Sequence, residues 1–349
     1  MKLSTLLLIS TCAWISTSFK AKISTGNKIA TVYSDTTAPY SDSLLPGKGL
    51  NEHPFLYAGE WDVRNNLQTM KIVRGGKIVW RYGIPIRDSN QVVQELGDAS
   101  MLQNGNIVFS GKTFAAVITP EKKIIWRYTA PRGSEIHTAQ PIGENRVLIM
   151  QNGNPVKPRL MIFNTKTNVL EKEMEIPTTS PDNPHGQFRH IRMTRAGTFL
   201  IPNLSGKVIE YDTSGKEIWE VTVPRAWAAV RLNNGNTLIS GDGEGFAREV
   251  NPKGEIVWEF TQKDVPNIRI FNIQELTRLD NGNTIICNWC AGMKNMEDWK
   301  KTVQVLEVTP DKKVVWALRS WDGETDLGPS SSIHLLDQKG LMEEFGMQR

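Results

Sequence analysis

The chain has 349 residues, of which 39% are hydrophobic and 22% are charged, a composition typical of globular proteins that excludes an intrinsically disordered one. Its 41 basic and 37 acidic residues give a net charge of +4. This excess is too small and too evenly spread to favour nucleic acid as a partner. The length suits one large all-β domain or two ordinary domains.

The N-terminal segment predicts an export signal. Met1 and Lys2 give a short basic start, an apolar run from Leu3 to Ile15 follows, and small residues come next. The run is too short to span a bilayer, so we expect a signal peptide over residues 1–21 and no transmembrane span. The mature protein would then be periplasmic, exposed at the cell surface or secreted.

Lipid anchoring at Cys12 is disfavoured, because Thr11 precedes it. Residues 22–50 are rich in Ser, Thr, Gly and Pro, which is typical of a linker or of an extension along an outer strand. The remaining residues, 51–349, are predicted to form a single domain.

A unit of two parts recurs through this domain at a spacing of about 40 to 60 residues, the period of a four-stranded propeller blade. The first part is a turn such as Asn234-Gly235-Asn236 beside a β-rich run. Glycine supplies the positive φ that a two-residue hairpin requires. The second part is a Pro- or Gly-containing turn, two β-branched residues and a tryptophan. The copies of this second part end at Trp80, Trp126, Leu170 (a copy without tryptophan), Trp219, Trp258 and Trp316.

The first part occurs five times and the second six times. The first tryptophan is preceded by a strand at residues 55–59 without a turn before it, and a strand and turn at residues 333–340 have nothing after them. We therefore predict an all-β fold, a propeller of six four-stranded blades in which the C-terminal strand closes the first blade. Such closure removes exposed sheet edges. A seventh blade that uses residues 22–50 is the alternative.

The pattern of turn, Gly or Lys, two β-branched residues and Trp resembles the repeats of the quinoprotein-like (PQQ-like) β-propellers, and it is similar to the propeller of bacterial arylsulfotransferases. The resemblance covers about residues 55 to 340. It implies that each tryptophan packs against the neighbouring blade, and that the third blade, with Leu170, packs differently. Quinoprotein dehydrogenases have eight blades and a disulfide between adjacent cysteines. This chain has six repeats and spaced cysteines, so bound PQQ is not expected.

Cys287 and Cys290 have the spacing of a redox motif. They follow a hairpin strand, however, and do not start a helix after a βαβ unit. A local disulfide or two packed thiols is therefore predicted, rather than catalysis.

A propeller binds ligands at one mouth of its central channel, where each outer strand connects to the next inner strand. Three of the five histidines lie in such stretches: His137, His190 and His334. We predict that they share a ligand site, in which His137 and His190 form an acid–base pair. The alternative is that each is an ordinary strand-end residue, because side chains alternate across a strand and some point away from the channel.

The same stretches offer further candidate binding groups. Arginine binds carboxylate or sulfate through its planar fork, so several arginines at one mouth favour an anionic ligand. Aromatic side chains can form a platform for a sugar ring, although they are also common packing residues. The candidate substrate-binding residues are Arg132, Arg189, Arg225, Trp227, Gln274, Trp289 and His334, with Trp299 as an alternative platform.

The sequence thus favours an exported propeller that binds a polar, anionic carbohydrate and processes it by lyase or hydrolase chemistry. A non-catalytic scaffold of the cell envelope, which binds a glycan or a protein partner, is the first alternative. A quinone- or metal-dependent oxidoreductase is the second alternative. Histidines with a carboxylate could bind a divalent metal, although no compact two-histidine motif is present, so the metal requirement is left open. Whether the protein is an enzyme stays undecided at this level.

Overall fold

The computed structural model of the chain describes residues 44–154, 156–241 and 245–337. The predicted signal peptide, Cys12 and residues 22–43 of the predicted extension lie outside the described residues. Within the described part, the strands form six four-stranded antiparallel sheets. The predicted six-bladed propeller is confirmed.

The strands follow one another blade by blade. Blade 1 contains β1 (Phe55–Gly59), β2 (Leu67–Arg74) and β3 (Lys77–Pro85). Blade 2 contains β4 (Leu96–Met101), β5 (Ile107–Gly111), β6 (Phe114–Ile118) and β7 (Ile124–Thr129). Blade 3 contains β8 (Glu135–Ile142), β9 (Arg146–Asn152), β10 (Arg159–Asn164) and β11 (Val169–Glu175). Blade 4 contains β12 (Arg192–Met193), β13 (Phe199–Asn203), β14 (Lys207–Tyr211) and β15 (Glu217–Thr222). Blade 5 contains β16 (Ala226–Arg231), β17 (Thr237–Gly241), β18 (Phe246–Val250) and β19 (Ile256–Phe260). Blade 6 contains β20 (Asn272–Arg278), β21 (Thr284–Trp289), β22 (Val305–Val308) and β23 (Val314–Leu318), and β24 (Ser330–Leu335) returns to blade 1.

Ring closure is made by β24, which is the innermost strand of blade 1 and pairs antiparallel with β1. Leu56 lies opposite His334 and Tyr57 opposite Ile333. The predicted closure by a C-terminal strand is therefore confirmed.

Helical structure in the described residues is limited to short 3-10 turns at Gly49–Asn51, Pro184–Gly186, Met296–Lys301 and Gly323–Thr325. None of the helices in this part of the chain has the length and apolar character needed to cross a membrane.

The turns of the first repeat part are one residue longer than predicted. Leu102 N donates to Asn106 O and Gly105 N donates to Leu102 O, which closes a three-residue turn. Only the glycine has a positive φ, at 83° for Gly105, and Gly235 and Gly282 repeat this with 85° and 88°. A three-residue loop of this kind ends in a glycine bulge, so it demands one glycine instead of two residues with positive φ.

Apolar side chains fill the spaces between neighbouring blades. One cluster joins Leu238 and Ala247 of blade 5 to Ile273 and Ile286 of blade 6. The second strand of a blade is accordingly buried along its whole length, as in β5, β13 and β17. This explains why these strands are continuous apolar runs without the alternation of a half-exposed strand.

The repeat tryptophans also make specific hydrogen bonds across the blade boundaries. The indole N–H of Trp258 in blade 5 donates to Pro310 O, in the turn between β22 and β23, at 2.9 Å. Equivalent bonds run from Trp80 to Pro120 O, from Trp126 to Asn168 Oδ1 and from Trp219 to Pro252 O. Trp316 of blade 6 differs, since it donates to Gly49 O in the segment before β1.

The third blade packs differently from the others, as predicted for the copy without tryptophan, but Leu170 does not hold the tryptophan position and is 40% exposed. A bulge after Ile162 places Lys172 opposite it, just as Trp126 stands opposite Val117 in blade 2. Lys172 Nζ donates to Thr213 O at 2.6 Å, in the corresponding turn of blade 4. A lysine therefore makes the bond that tryptophan makes in the other blades. Because of the bulge, the residue equivalent to the tryptophan is Lys172, two positions after Leu170.

A second tie accompanies the tryptophans in the later blades. Glu249 on β18 accepts from Arg278 Nη2 of blade 6 at 2.9 Å, and the Arg278 guanidinium lies 5.4 Å from the Trp258 ring centroid. Glu210, Arg231 and Trp219 repeat this arrangement one blade earlier.

At the ring closure, His53 takes the place of the arginine. His53 Nε2 lies 3.1 Å from Glu307 Oε2 of blade 6, and Nδ1 lies 3.1 Å from Asp337 Oδ2 just after β24. The imidazole meets the Trp316 ring edge-on, with centroids 5.0 Å apart. His53 thus ties blade 6, the segment before β1 and the segment after β24 together.

We predict that Trp258→Phe lowers the free energy of unfolding by about 1 kcal/mol, the net value of one hydrogen bond whose acceptor stays accessible to water. Chemical denaturation measures the loss. Val257 is exposed on the same strand, so Val257→Thr is the control and should change stability by less than about 0.5 kcal/mol. Equal effects of the two substitutions would contradict a role for the indole bond.

His53→Gln should destabilise the protein most between pH 4.5 and pH 6.5, which are the ordinary pKa values of a glutamate and a histidine side chain. Burial lowers the pKa of His53, but its bonds to Glu307 and Asp337 outweigh burial and raise the pKa. The contribution of the histidine is therefore complete below pH 6.5 and is lost as the pH rises through the raised value. The pKa of Glu307 is lowered, so its contribution is present above pH 4.5 and lost in acid. Denaturation curves of both proteins across this range test the window; a stability difference that grows at alkaline pH would contradict it.

Candidate functional site

The inner strands of the blades all begin at one mouth of the central channel, because each follows the connection from the preceding outer strand. Charged side chains from blades 1 to 4 meet there. We call this set the mouth cluster; it comprises Glu60, Glu95, Lys112, Glu135, His137, His185 and Arg189.

His137 on β8 lies between two carboxylates. Its Nε2 is 2.8 Å from Glu135 Oε2 and its Nδ1 is 3.3 Å from Glu95 Oε2. A neutral imidazole has one N–H and can donate to only one of them, whereas the other nitrogen then offers a lone pair. The side chain of His137 is only 6% exposed, so its surroundings are fixed by these two residues.

His185 reaches the same carboxylates from the connection between β11 and β12. Its Nδ1 is 2.9 Å from Glu135 Oε2, and its ring lies edge-on to that of His137 at 5.5 Å. The short turn that carries it is held by Asn152 Nδ2, which donates to Pro184 O. The side chain of His185 is 45% exposed, so it is the imidazole that a ligand reaches first.

Burial and charge set the protonation of this cluster. Burial lowers the pKa of His185, and this outweighs the opposing bond to Glu135, so the imidazole is neutral at neutral pH. Burial alone would raise the pKa of Glu95 and Glu135, but the bonds and charges of the histidines outweigh it and hold both carboxyls well below their usual range. For Glu60, burial and the charge of Glu95 raise the pKa well above its ordinary value.

Aromatic and amide side chains line the rest of the mouth. The Arg189 guanidinium lies 4.6 Å from the ring centroid of Trp227, and its Nη2 donates to His185 O. Trp289 at the end of β21 meets Trp61 edge-on at 6.2 Å. Gln274 on β20 is buried and hydrogen-bonds to Glu60.

A second set of charges lies deeper in the channel. We call Asp98, His190, Arg192 and Glu275 the channel cluster. Asp98 takes a bidentate contact from Arg192, at 2.9 and 2.8 Å, and lies 2.5 Å from His190 Nδ1. Arg192 also donates to Glu275 Oε1 at 2.9 Å, and Glu275 Oε2 accepts from Ile333 N. Ion pairs and backbone donors thus surround both carboxylates.

The three histidines proposed to share a site lie at successive depths. Their partners are spaced along β4, starting at the residue just before it. His137 contacts Glu95, His190 contacts Asp98, and His334 accepts from the backbone N–H of Met101. Residues three apart in a strand are separated by about 10 Å. The contacts therefore join His137 to His185, and place His190 and His334 progressively further from the mouth.

The remaining sequence candidates are placed as follows. Arg132 and Arg225 are exposed on the connections that precede β8 and β16. Trp299 is 1% exposed and packs against Trp321, so its buried ring offers no platform to a ligand. Cys287 and Cys290 are buried and unbonded. The two packed thiols, one of the open alternatives, are what the structure contains.

Sequence reasoning missed His185 and Glu135. His185 does not precede a repeat turn; it lies within the connection into blade 4, and its neighbours Asn183 and Pro184 are the only local signal of a fixed turn. Among the residues that the structure describes, two groups of side chains have the composition and spacing to hold a metal ion: Glu95, His137 and His185 at the mouth, and Asp98, His190 and Glu275 in the channel.

Comparison with known proteins finds solved structures of similar fold. No protein-family model and no curated protein sequence matches the chain. A crystal structure of a protein of unknown function from Bacteroides caccae is 25% identical, with a TM-score of 0.69 over 80% of this chain and 97% of that one. A catalytically inactive virginiamycin B lyase from Staphylococcus aureus, with quinupristin, is 15% identical, with a TM-score of 0.51 over 78% of this chain and 88% of that one. The lyase is similar in fold alone.

Asp98→Asn should cost about 3 to 5 kcal/mol of unfolding free energy, because it removes one partner of a buried ion pair and leaves Arg192 with Glu275 only. Burial would raise the pKa of Asp98, but Arg192 and His190 lower it below the ordinary 3.8. The stabilisation is hence present above pH 3.8 and is lost as the pH falls. Denaturation at neutral pH checks the value. Asp182 is exposed, so Asp182→Asn is the control; a loss for Asp98→Asn as small as for this control would show that the channel cluster does not hold the inner strands together.

Proposed function

We propose that this chain is an exported β-propeller protein that binds a polar, anionic carbohydrate at the mouth of its channel and acts on it by acid–base chemistry of the lyase or hydrolase type. The observation that carries the proposal is the mouth cluster. Two imidazoles, one of them reachable from solvent, share one carboxylate oxygen of Glu135 within 2.9 Å.

The chemistry follows from the groups present. Lyase and hydrolase reactions on sugars need a group that takes up or delivers a proton. Burial lowers the pKa of His185, so its imidazole is neutral and can take up a proton. Arg189 and Lys112 bring positive charge to the same place, which favours a carboxylate or sulfate on the ligand. Trp227 and the Trp61–Trp289 pair offer apolar faces to a sugar ring.

Three further assignments belong to this proposal. Export to the periplasm or the cell surface rests on the basic start and apolar run of residues 1–15, and cell fractionation with N-terminal sequencing of the mature protein tests it. Membership of the PQQ-like propellers rests on the repeated outer-strand pattern. The virginiamycin B lyase with a similar fold is consistent with lyase chemistry on such a propeller, although fold alone does not imply function.

We expect purified protein to release products from oligosaccharides that contain uronic acids, and His185→Gln to lower kcat/KM by about 100-fold or more, the usual share of an acid–base group. Lyase products carry a new double bond that absorbs in the ultraviolet, whereas hydrolase products carry only new reducing ends. The acidic limb of the pH profile should lie below pH 6.5, because burial lowers the pKa of His185 from that value and the imidazole has to be neutral.

The matched control is His53→Gln, which changes a histidine on the face opposite the mouth and should leave kcat/KM unchanged. Retention of wild-type turnover by a folded His185→Gln protein would contradict the role of the mouth cluster. Binding of oligosaccharide without any product would instead favour the non-catalytic propeller.

A further inference from the structure

The mouth cluster contains a set of metal ligands brought together from three consecutive blades. Glu95 precedes β4, His137 lies on β8, and His185 precedes β12. One donor atom from each lies within 4.8 Å of the other two. We propose that these three residues bind a divalent transition-metal cation of the zinc type.

One buried carboxylate oxygen of the mouth cluster has no hydrogen-bond partner. Glu95 is only 5% exposed, and its Oε1 accepts no hydrogen bond. Lys112 Nζ lies 3.6 Å and His185 Nδ1 lies 3.7 Å from this oxygen, both beyond hydrogen-bond distance. An unsatisfied buried carboxylate oxygen is costly, and a cation at this point would satisfy it.

The distances between the donors suit a metal ion. Two ligands about 2.1 Å from an ion in tetrahedral geometry lie about 3.4 Å apart, and Glu95 Oε2 is 3.3 Å from His137 Nδ1. The other ring nitrogen, Nε2, is 2.8 Å from Glu135. A carboxylate that accepts the second N–H of a ligating histidine is the usual support of such a site, so Glu135 fixes the tautomer that leaves Nδ1 available to the cation.

The channel cluster, which has a similar composition, does not share this property. Arg192 donates to both Asp98 and Glu275, so a guanidinium already occupies the position between the carboxylates. At the mouth, the corresponding positive charge is Lys112, whose Nζ stays 3.4 Å or more from Glu95 and Glu135. Lys112 is therefore a weak substitute for a cation that would displace it.

The donor set selects the kind of ion. Two imidazoles and one carboxylate are the ligands of catalytic zinc sites and suit other late transition metals, whereas Mg²⁺ and Ca²⁺ prefer oxygen ligands alone. The role given to this cation rests on the proposed function. With the cation bound, the imidazoles would act as its ligands in place of the direct proton transfer proposed above. The cation would bind the anionic group of the carbohydrate and lower the pKa of a bound water, which would then move the proton.

Cation binding can be tested without any substrate. The full chain, stripped with a chelator, is titrated with Zn²⁺, Mn²⁺ and Mg²⁺ in a calorimeter. We expect one Zn²⁺ per chain, weaker Mn²⁺ and no Mg²⁺. His185→Gln and Glu95→Gln should each weaken Zn²⁺ at least about 10-fold, with circular dichroism to check folding. Lys112→Met should strengthen it, because it removes the competing charge.

Two control variants locate the ion. His53 also lies between two carboxylates, but away from the mouth, so His53→Gln should leave the affinity for Zn²⁺ unchanged. His190→Gln should do the same; loss of binding in this variant would place the ion in the channel cluster and overturn the assignment. Absence of Zn²⁺ binding, or affinity unaffected by His185→Gln, would also overturn it.

The outcome separates this inference from the proposed function. Turnover of a uronate oligosaccharide by chelator-treated protein that binds no cation would remove the metal site and leave the function standing. Stoichiometric Zn²⁺ binding that depends on His185 and Glu95, without turnover of any carbohydrate, would leave the metal site standing and remove the function.

Discussion

The bond from one blade's outer strand to the next blade's turn is the interaction on which the ring depends. Trp258 donates to Pro310 O, and Lys172 does the same to Thr213 O in a blade without tryptophan. A propeller blade cannot bury both faces alone, and apolar packing between blades has no direction. A directed bond of fixed length at each boundary sets the rotation of one blade relative to the next. The lysine shows that the bond is what the position requires, since a side chain of different shape and charge makes it equally.

These ties gather on the face opposite the mouth, because the turns that accept them join the third and fourth strands. The glutamates that bind Arg278 and His53 lie on the same side. His53 is instructive because the ring closes there between segments distant in sequence, and yet the geometry of the Glu–Arg–Trp tie is kept with an imidazole. The loops at the mouth do not carry these ties, so they can carry residues that differ from blade to blade.

The sequence was sufficient for the fold because the repeat encodes local turns and a burial pattern, both of which are short-range. Unequal counts of the two repeat parts even revealed the closure by β24. The site was less accessible, since function depends on what converges across blades. Glu95 and His137 are 42 positions apart, and only the ring geometry makes them neighbours. The depth of His190 and His334 could not be read from strand starts, because a shift of one or two residues moves a side chain along the channel or to the other face. His185 was missed because it lies in a connection, where no periodicity exists to guide the reading.

The two charge clusters show how one architecture treats buried carboxylates in two ways. In the channel, Arg192 lies between two carboxylates and donates hydrogen bonds to both, so this layer has a structural role. At the mouth, three glutamates stand beside Lys112 and Arg189, and Glu60 is driven towards its neutral form by burial and by the charge of Glu95. A structural cluster would be expected to resolve such repulsion with another arginine, as the channel does. At the mouth, Glu95 Oε1 accepts no hydrogen bond and lies near the exposed His185, which is what the proposed cation site requires.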